Sequence, residues 1–134
     1  RTMNKFSGTI QAIQTHGSLS QLEIETGGLM LCTIIIETPE TADYLKTGNT
    51  IQLIFKETEV ILSKSMDSLL SVENQIPGNI LEIQKGSLLY RVRLETKAGI
   101  ITSVITKRSG DKLNFSEGDE VVAMIKNNEI MLSR

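Results

Sequence analysis

The chain has no tryptophan, one cysteine, one histidine, two prolines, three Phe and two Tyr in 134 residues, and each scarcity excludes something. A lone Cys32 rules out an internal disulfide framework and points to a reducing, cytoplasmic setting. One histidine and one cysteine in different strand contexts cannot build a metal cluster, and a Cys-His nucleophile would need both to converge by accident, so Cys32 reads as a small hydrophobe and His16 as a turn residue. Few aromatics leave little on which bases could stack. A net charge of −2, with acids and bases interspersed, provides no basic stripe to displace counterions from a nucleic acid. No run approaches the roughly 18 apolar residues that span a bilayer, and the N-terminus lacks the regions of a secretory signal. The chain itself is therefore expected neither to contact nucleic acid nor to insert into a membrane. No acid, base and nucleophile set and no glycine-rich phosphate loop are present, which makes an enzyme the least favoured class.

What is present is a repeat. Residues 4–64 laid over residues 74–134 need no gap, and about 14 of the 61 positions are identical. They include Asn4 with Asn74, Gly8 with Gly78, Ile13-Gln14 with Ile83-Gln84, Glu25-Thr26 with Glu95-Thr96, Gly48 with Gly118, Lys56 with Lys126, and Leu62-Ser63 with Leu132-Ser133. The boundaries expected are a first unit at 1–64, a connector at 65–73 and a second unit at 74–134. The opening Arg-Thr-Met fits either a segment of a longer protein or a start at Met3.

Period-two alternation predicts five strands per unit. They fall near Phe6–Gln14, Leu19–Glu25, Leu29–Ile36, Thr50–Phe55 and Glu59–Ser63, then near Gly78–Gln84, Leu88–Glu95, Gly99–Thr106, Glu120–Ile125 and Glu129–Ser133. Between strands three and four, Thr38-Pro39-Glu40 has the N-cap, N1 proline and first-turn acid of a short helix. Its counterpart Ser109–Phe115, which carries a glycine, predicts a looser turn. The expected fold class is all-β: two tandem five-stranded OB-like barrels, each with a short helix or turn between strands three and four. Barrels of about 60 residues are marginal alone and should pack on each other or on another chain.

A polar set recurs at matched positions. Asn4 and Asn74 precede an apolar strand, Lys56 and Lys126 end strand four, and Thr106-Lys107-Arg108-Ser109 closes strand three of the second copy. Ammonium, amide and hydroxyl groups are donors, as an oxyanion requires. Solvated lysines guarding sheet edges and asparagines capping turns remain the alternatives.

The run Ser71-Val72-Glu73-Asn74-Gln75-Ile76-Pro77-Gly78, then Ile105-Thr106-Lys107-Arg108-Ser109, then Gly118 followed by Lys126, resembles the Mop (TOBE) domain of molbindins and of the molybdate-responsive transcription regulator. The resemblance covers essentially the whole chain. It implies a di-Mop arrangement that binds molybdate or tungstate between units of different subunits, with no organic cofactor and no metal ligated directly by protein. Carried over by position, it implies Ser71, Asn74, Thr106, Ser109 and Lys126 as oxyanion ligands from the second copy, and Asn4 and Lys56 from the first.

The family's arginine is replaced by Met3 and Glu73, and its Thr and Ser by Ile36 and Pro39 in the first copy. An acid beside a dianion repels it unless it faces away. A negatively charged protein can hold a dianion only by converging donors from several units, so the expectation is a homo-oligomer, a dimer or trimer of tandem units, linked to ligand binding. The implied role is ligand sensor of a regulator or free store. The rivals are an accessory domain of an ABC-transporter ATPase and an OB-type nucleic-acid-binding module.

Overall fold

The computed structural model describes residues 3–134 as two antiparallel five-stranded sheets, each curled into a half-barrel. The first repeat supplies β1 (Met3–His16), β2 (Leu19–Thr26), β3 (Leu29–Ile35), β4 (Thr50–Lys56) and β5 (Ile61–Ser63). The second supplies β6 (Asn74–Lys85), β7 (Leu89–Thr96), β8 (Gly99–Thr106), a helix α1 (Lys107–Leu113), β9 (Glu120–Ile125) and β10 (Met131–Ser133). A single 3₁₀ turn, Glu57–Glu59 or Asn127–Glu129, leads into each last strand. Alternation is visible in burial: Phe6, Gly8 and Ile10 point inward along β1 while their neighbours do not.

The sequence repeat and the half-barrel are not the same unit. Sheet order is β10-β4-β1-β2-β3 in one half and β5-β9-β6-β7-β8 in the other, so the last strands are exchanged. Leu132 of β10 lies opposite Leu53 of β4, and Leu62 of β5 lies opposite Ala123 of β9. Each sheet thus takes four strands from one repeat and one from the other.

Each half closes through a hydroxyl rather than through further ladder. Thr33 on β3 donates to the Ile130 carbonyl at 2.6 Å, and Ser103 on β8, its counterpart, donates to the Val60 carbonyl at 2.8 Å. Both side chains are fully buried, and a carbonyl partner is what makes that tolerable. The hairpin turns also meet: Gly27, at φ +59, lies so close to the Lys97 backbone that a Cβ would collide with it.

One core runs through both halves, from Phe6, Ile10, Leu53 and Phe55 to Ile76, Leu94, Ile101 and Ile125. Matching bulges displace Gln11 in β1 and Leu81 in β6, where the register with the next strand shifts by one residue.

The helix forms in the opposite copy from the one the sequence predicts. Residues 37–48 are turns, with one α-type bond from Ala42 N to the Thr38 carbonyl. The regular helix is α1. Thr106 caps it by accepting from Ser109 N at 3.0 Å, and Asn114 ends it in the left-handed conformation at φ 54. Gly110, which weakens the local prediction, is required by packing, since the Tyr90 ring lies against its Cα.

Candidate functional site

Asn4 and Asn74, expected as anion donors, fasten strands of the two repeats together. The Asn4 amide donates to the Thr102 carbonyl at 2.9 Å and its oxygen accepts from Thr102 N at 2.8 Å. Asn74 does the same with Cys32, at 2.8 and 2.7 Å, and adds the Ile125 carbonyl at 3.0 Å. Both side chains are buried and both reach across to the third strand of the other repeat. The two N–H bonds of the Asn74 amide are thus committed to carbonyls, and neither is left for a ligand.

Lys56 is the last residue of β4 and Lys126 directly follows β9; both are exposed and stand immediately before a 3₁₀ turn. Met3 pairs with Lys56 in register. Asn74 pairs with Ile125 in the other half, which brings Glu73 to the corresponding place beside Lys126.

The turn after Lys126 packs on β3, and Asn74 bonds to Cys32 on the same strand; Ser71 is exposed in the connector. The turn after Lys56 packs on β8, the strand that ends in Thr106 and leads into the α1 turn carrying Ser109. Each lysine thus precedes a turn that packs on the other repeat: for Lys56 the strand whose chain runs on through Thr106 to Ser109, and for Lys126 the strand whose chain runs on through Ile36 to Pro39.

The environments differ in charge. Beside Lys56, the buried Glu57 carboxylate is held by Arg91 through Nε at 3.4 Å and Nη2 at 3.3 Å. Beside Lys126, Glu73 accepts from the neutral Asn127 amide at 2.9 Å. Burial pushes the Cys32 thiol up, and the nearby Glu73 charge raises it further. The Glu57–Arg91 pair escaped the sequence reading. Its one visible signal is that Glu57 follows the repeated lysine while Asn127 takes its place in the second copy.

Thr106, Lys107 and Arg108 also line an open cleft of about 640 Å³ with Leu88, Leu89 and Asp111. Asp111 accepts from Tyr90 at 2.5 Å and from Lys107 at 2.6 Å. The Lys107 ammonium, then the Tyr90 hydroxyl, holds its carboxyl below the usual range. Among the described residues no group of three or more His, Cys, Asp or Glu is arranged to hold a metal ion, and no helix is long and apolar enough to cross a membrane.

Residues 70–132 match the TOBE domain model. Over 64 residues the chain is 36% identical to molybdenum-pterin-binding protein 1 of Clostridium pasteurianum, an alignment covering 47% of this chain and 94% of that protein. The chain belongs to the TOBE-domain family.

As a TOBE protein it carries the unit in tandem. It is 26% identical over 134 residues to the molybdenum transport protein ModE of Herbaspirillum seropedicae, covering 97% of this chain and 49% of ModE. The chain therefore spans about half the length of that relative. Its structure is similar to that of the cytoplasmic molybdate-binding protein ModG with molybdate bound, with a TM-score of 0.89 and 26% identity over 97% of this chain and 94% of that one. The all-β tandem Mop architecture is thus shared along nearly the whole TOBE pair.

Proposed function

We propose that this tandem TOBE protein binds a tetrahedral oxyanion, molybdate or tungstate, at boundaries between copies of itself. The observation that carries the reading is the near full-length similarity to molybdate-bound ModG. A dianion leaving water must be met by several donors and by positive charge. Lys56, Thr106 and Ser109 supply these on one half-site, and Lys126 with Ser71 supplies fewer on the other. The Thr106 oxygen accepts from Ser109 N, which leaves its own proton to donate.

These donors are exposed in the single chain, so a second copy has to complete the shell and exclude water. Apolar side chains exposed at matched positions support such an assembly: Leu19 and Leu89, Met30 and Ile100, Ile61 and Met131. The assembly is a dimer or trimer, and oxyanion and oligomer are linked. In a longer protein the loaded domain passes its change to whatever is attached; free-standing, it stores the ion in the cytoplasm.

Titration calorimetry and thermal melting with molybdate, tungstate and sulfate test this. A hundredfold excess of ligand over Kd stabilises the bound state by about 2.7 kcal/mol, a rise of several degrees in Tm. Absence of both heat and a Tm shift with all three anions overturns the proposal.

A further inference from the structure

The two lysine half-sites are matched in backbone and opposed in charge. At the positions flanking Lys56 the chain has Met3 and Glu57, and at the equivalent positions flanking Lys126 it has Glu73 and Asn127. Carboxylate and neutral residue have traded places. Their counter-charges have not been traded with them. Glu57 is buried and gripped by the Arg91 guanidinium, so its charge is cancelled where it lies and Lys56 keeps its own. The residue equivalent to Arg91 in the first repeat is Gln21, and Glu73 is held by an uncharged amide. Glu23, cross-strand from Cys32, stands where the other half has Arg93. Local formal charge is therefore positive around Lys56 and negative around Lys126.

We propose that Glu73 bars oxyanions from the Lys126 half-site, so that the chain loads only the half-site built on Lys56. Asn127, the residue after the lysine, holds the Glu73 carboxylate, so an incoming dianion would meet a like charge on the neighbouring chain segment, and the repulsion grows once a partner subunit excludes water. The two hydroxyl donors are also missing from the strand end that packs there, since Ile36 and Pro39 replace them. The Cys32 thiol is raised first by burial and then by the Glu73 carboxylate, with Glu23 adding to it.

This inference rests on the oxyanion reading above, and one experiment separates the two. The number of molybdate ions bound per chain is measured by titration calorimetry and by equilibrium dialysis with metal analysis. The proteins compared are the full chain, Lys56→Ala, Glu73→Gln and Glu73→Gln/Lys126→Ala. The unmodified chain binds, Lys56→Ala loses at least tenfold in affinity, and Glu73→Gln binds twice as many ions per chain. The added ions are lost again in Glu73→Gln/Lys126→Ala. If the unmodified chain binds no molybdate, tungstate or sulfate, the oxyanion reading itself fails. If it binds but Glu73→Gln leaves the number of ions unchanged, or Lys56→Ala binds as the parent does, the inference is overturned while the oxyanion reading stands. Glu73 is exposed and its replacement is isosteric, so equal melting temperatures of the parent and Glu73→Gln without ligand confirm that fold is not the cause.

Discussion

Single residues in this protein are read correctly only with the opposite repeat in view. Asn4 and Asn74 sit where a family ligand is expected, yet each satisfies a backbone N–H and C=O on the third strand of the other repeat. Removing the Asn4 amide leaves two backbone groups without partners and removing the Asn74 amide leaves three, at roughly 1–3 kcal/mol each where buried. Asn4→Ala and Asn74→Ala should each lower the urea midpoint accordingly, with little change in ligand affinity per folded molecule. The Cys32 thiol gives a second residue-level expectation. Burial and then Glu73 hold its pKa up, so a disulfide reagent should modify it slowly at neutral pH, because the thiolate is the reacting form. Glu73→Gln should accelerate that modification at fixed pH. Stopped-flow absorbance with the reagent in excess measures both rates.

Secondary-structure elements follow local pattern except where another element overrides it. Strand positions were legible because inward and outward residues alternate, and two of the ten, Gly99–Thr106 and Glu120–Ile125, match to the residue. Strands β1 and β6 run longer at their N-terminal ends than the alternation suggests, since β4 and β9 pair with residues from Met3 and Asn74 onward. The helix was placed in the wrong copy. Pro39 is a good first-turn residue and Gly110 a poor interior one, but the Tyr90 ring needs the space over Gly110, and no local sequence window contains both. The two effects oppose each other in Gly110→Ala. Helix propensity favours alanine by about 1 kcal/mol, whereas forcing a methyl against a packed ring costs about 1–3 kcal/mol. The collision with Tyr90 should win, and the variant should melt lower. The same helix carries an acid-sensitive clasp. Asp111 is depressed by Lys107 and Tyr90, so its stabilisation is complete above the ordinary carboxylate pKa of about 3.9. It is lost as pH falls through the lower folded value. Far-ultraviolet circular dichroism below pH 4 should show α1 fraying in the parent, and Asp111→Asn should already lack that transition.

At the scale of the molecule, the duplication was legible and the strand exchange was not. An exchanged strand and a retained one have the same sequence, the same alternation and the same place in the repeat; only the path of the chain tells them apart. The half-sites share this fate. The lysines were visible because they repeat, but which third strand each lysine faces depends on the exchange. A polypeptide of residues 3–64 alone would leave the β4 edge uncovered where β10 belongs. Two copies of it can restore both half-barrels by giving each other β5, so light scattering should find a dimer rather than a folded monomer. Its stability should then depend on protein concentration.

The exchange also imposes an order on biosynthesis. The pairing of Leu53 with Leu132 makes the first sheet wait for a strand translated a full repeat later. Four of its strands are made before the second repeat and stand with an open edge while that repeat is still being added. At about 5–20 residues per second, that vulnerable interval lasts several seconds on every molecule made. Neighbouring nascent chains on one messenger carry identical unsatisfied edges. Their mispairing, rather than loss of the finished protein's stability, is the route by which a slowed second repeat would reduce yield.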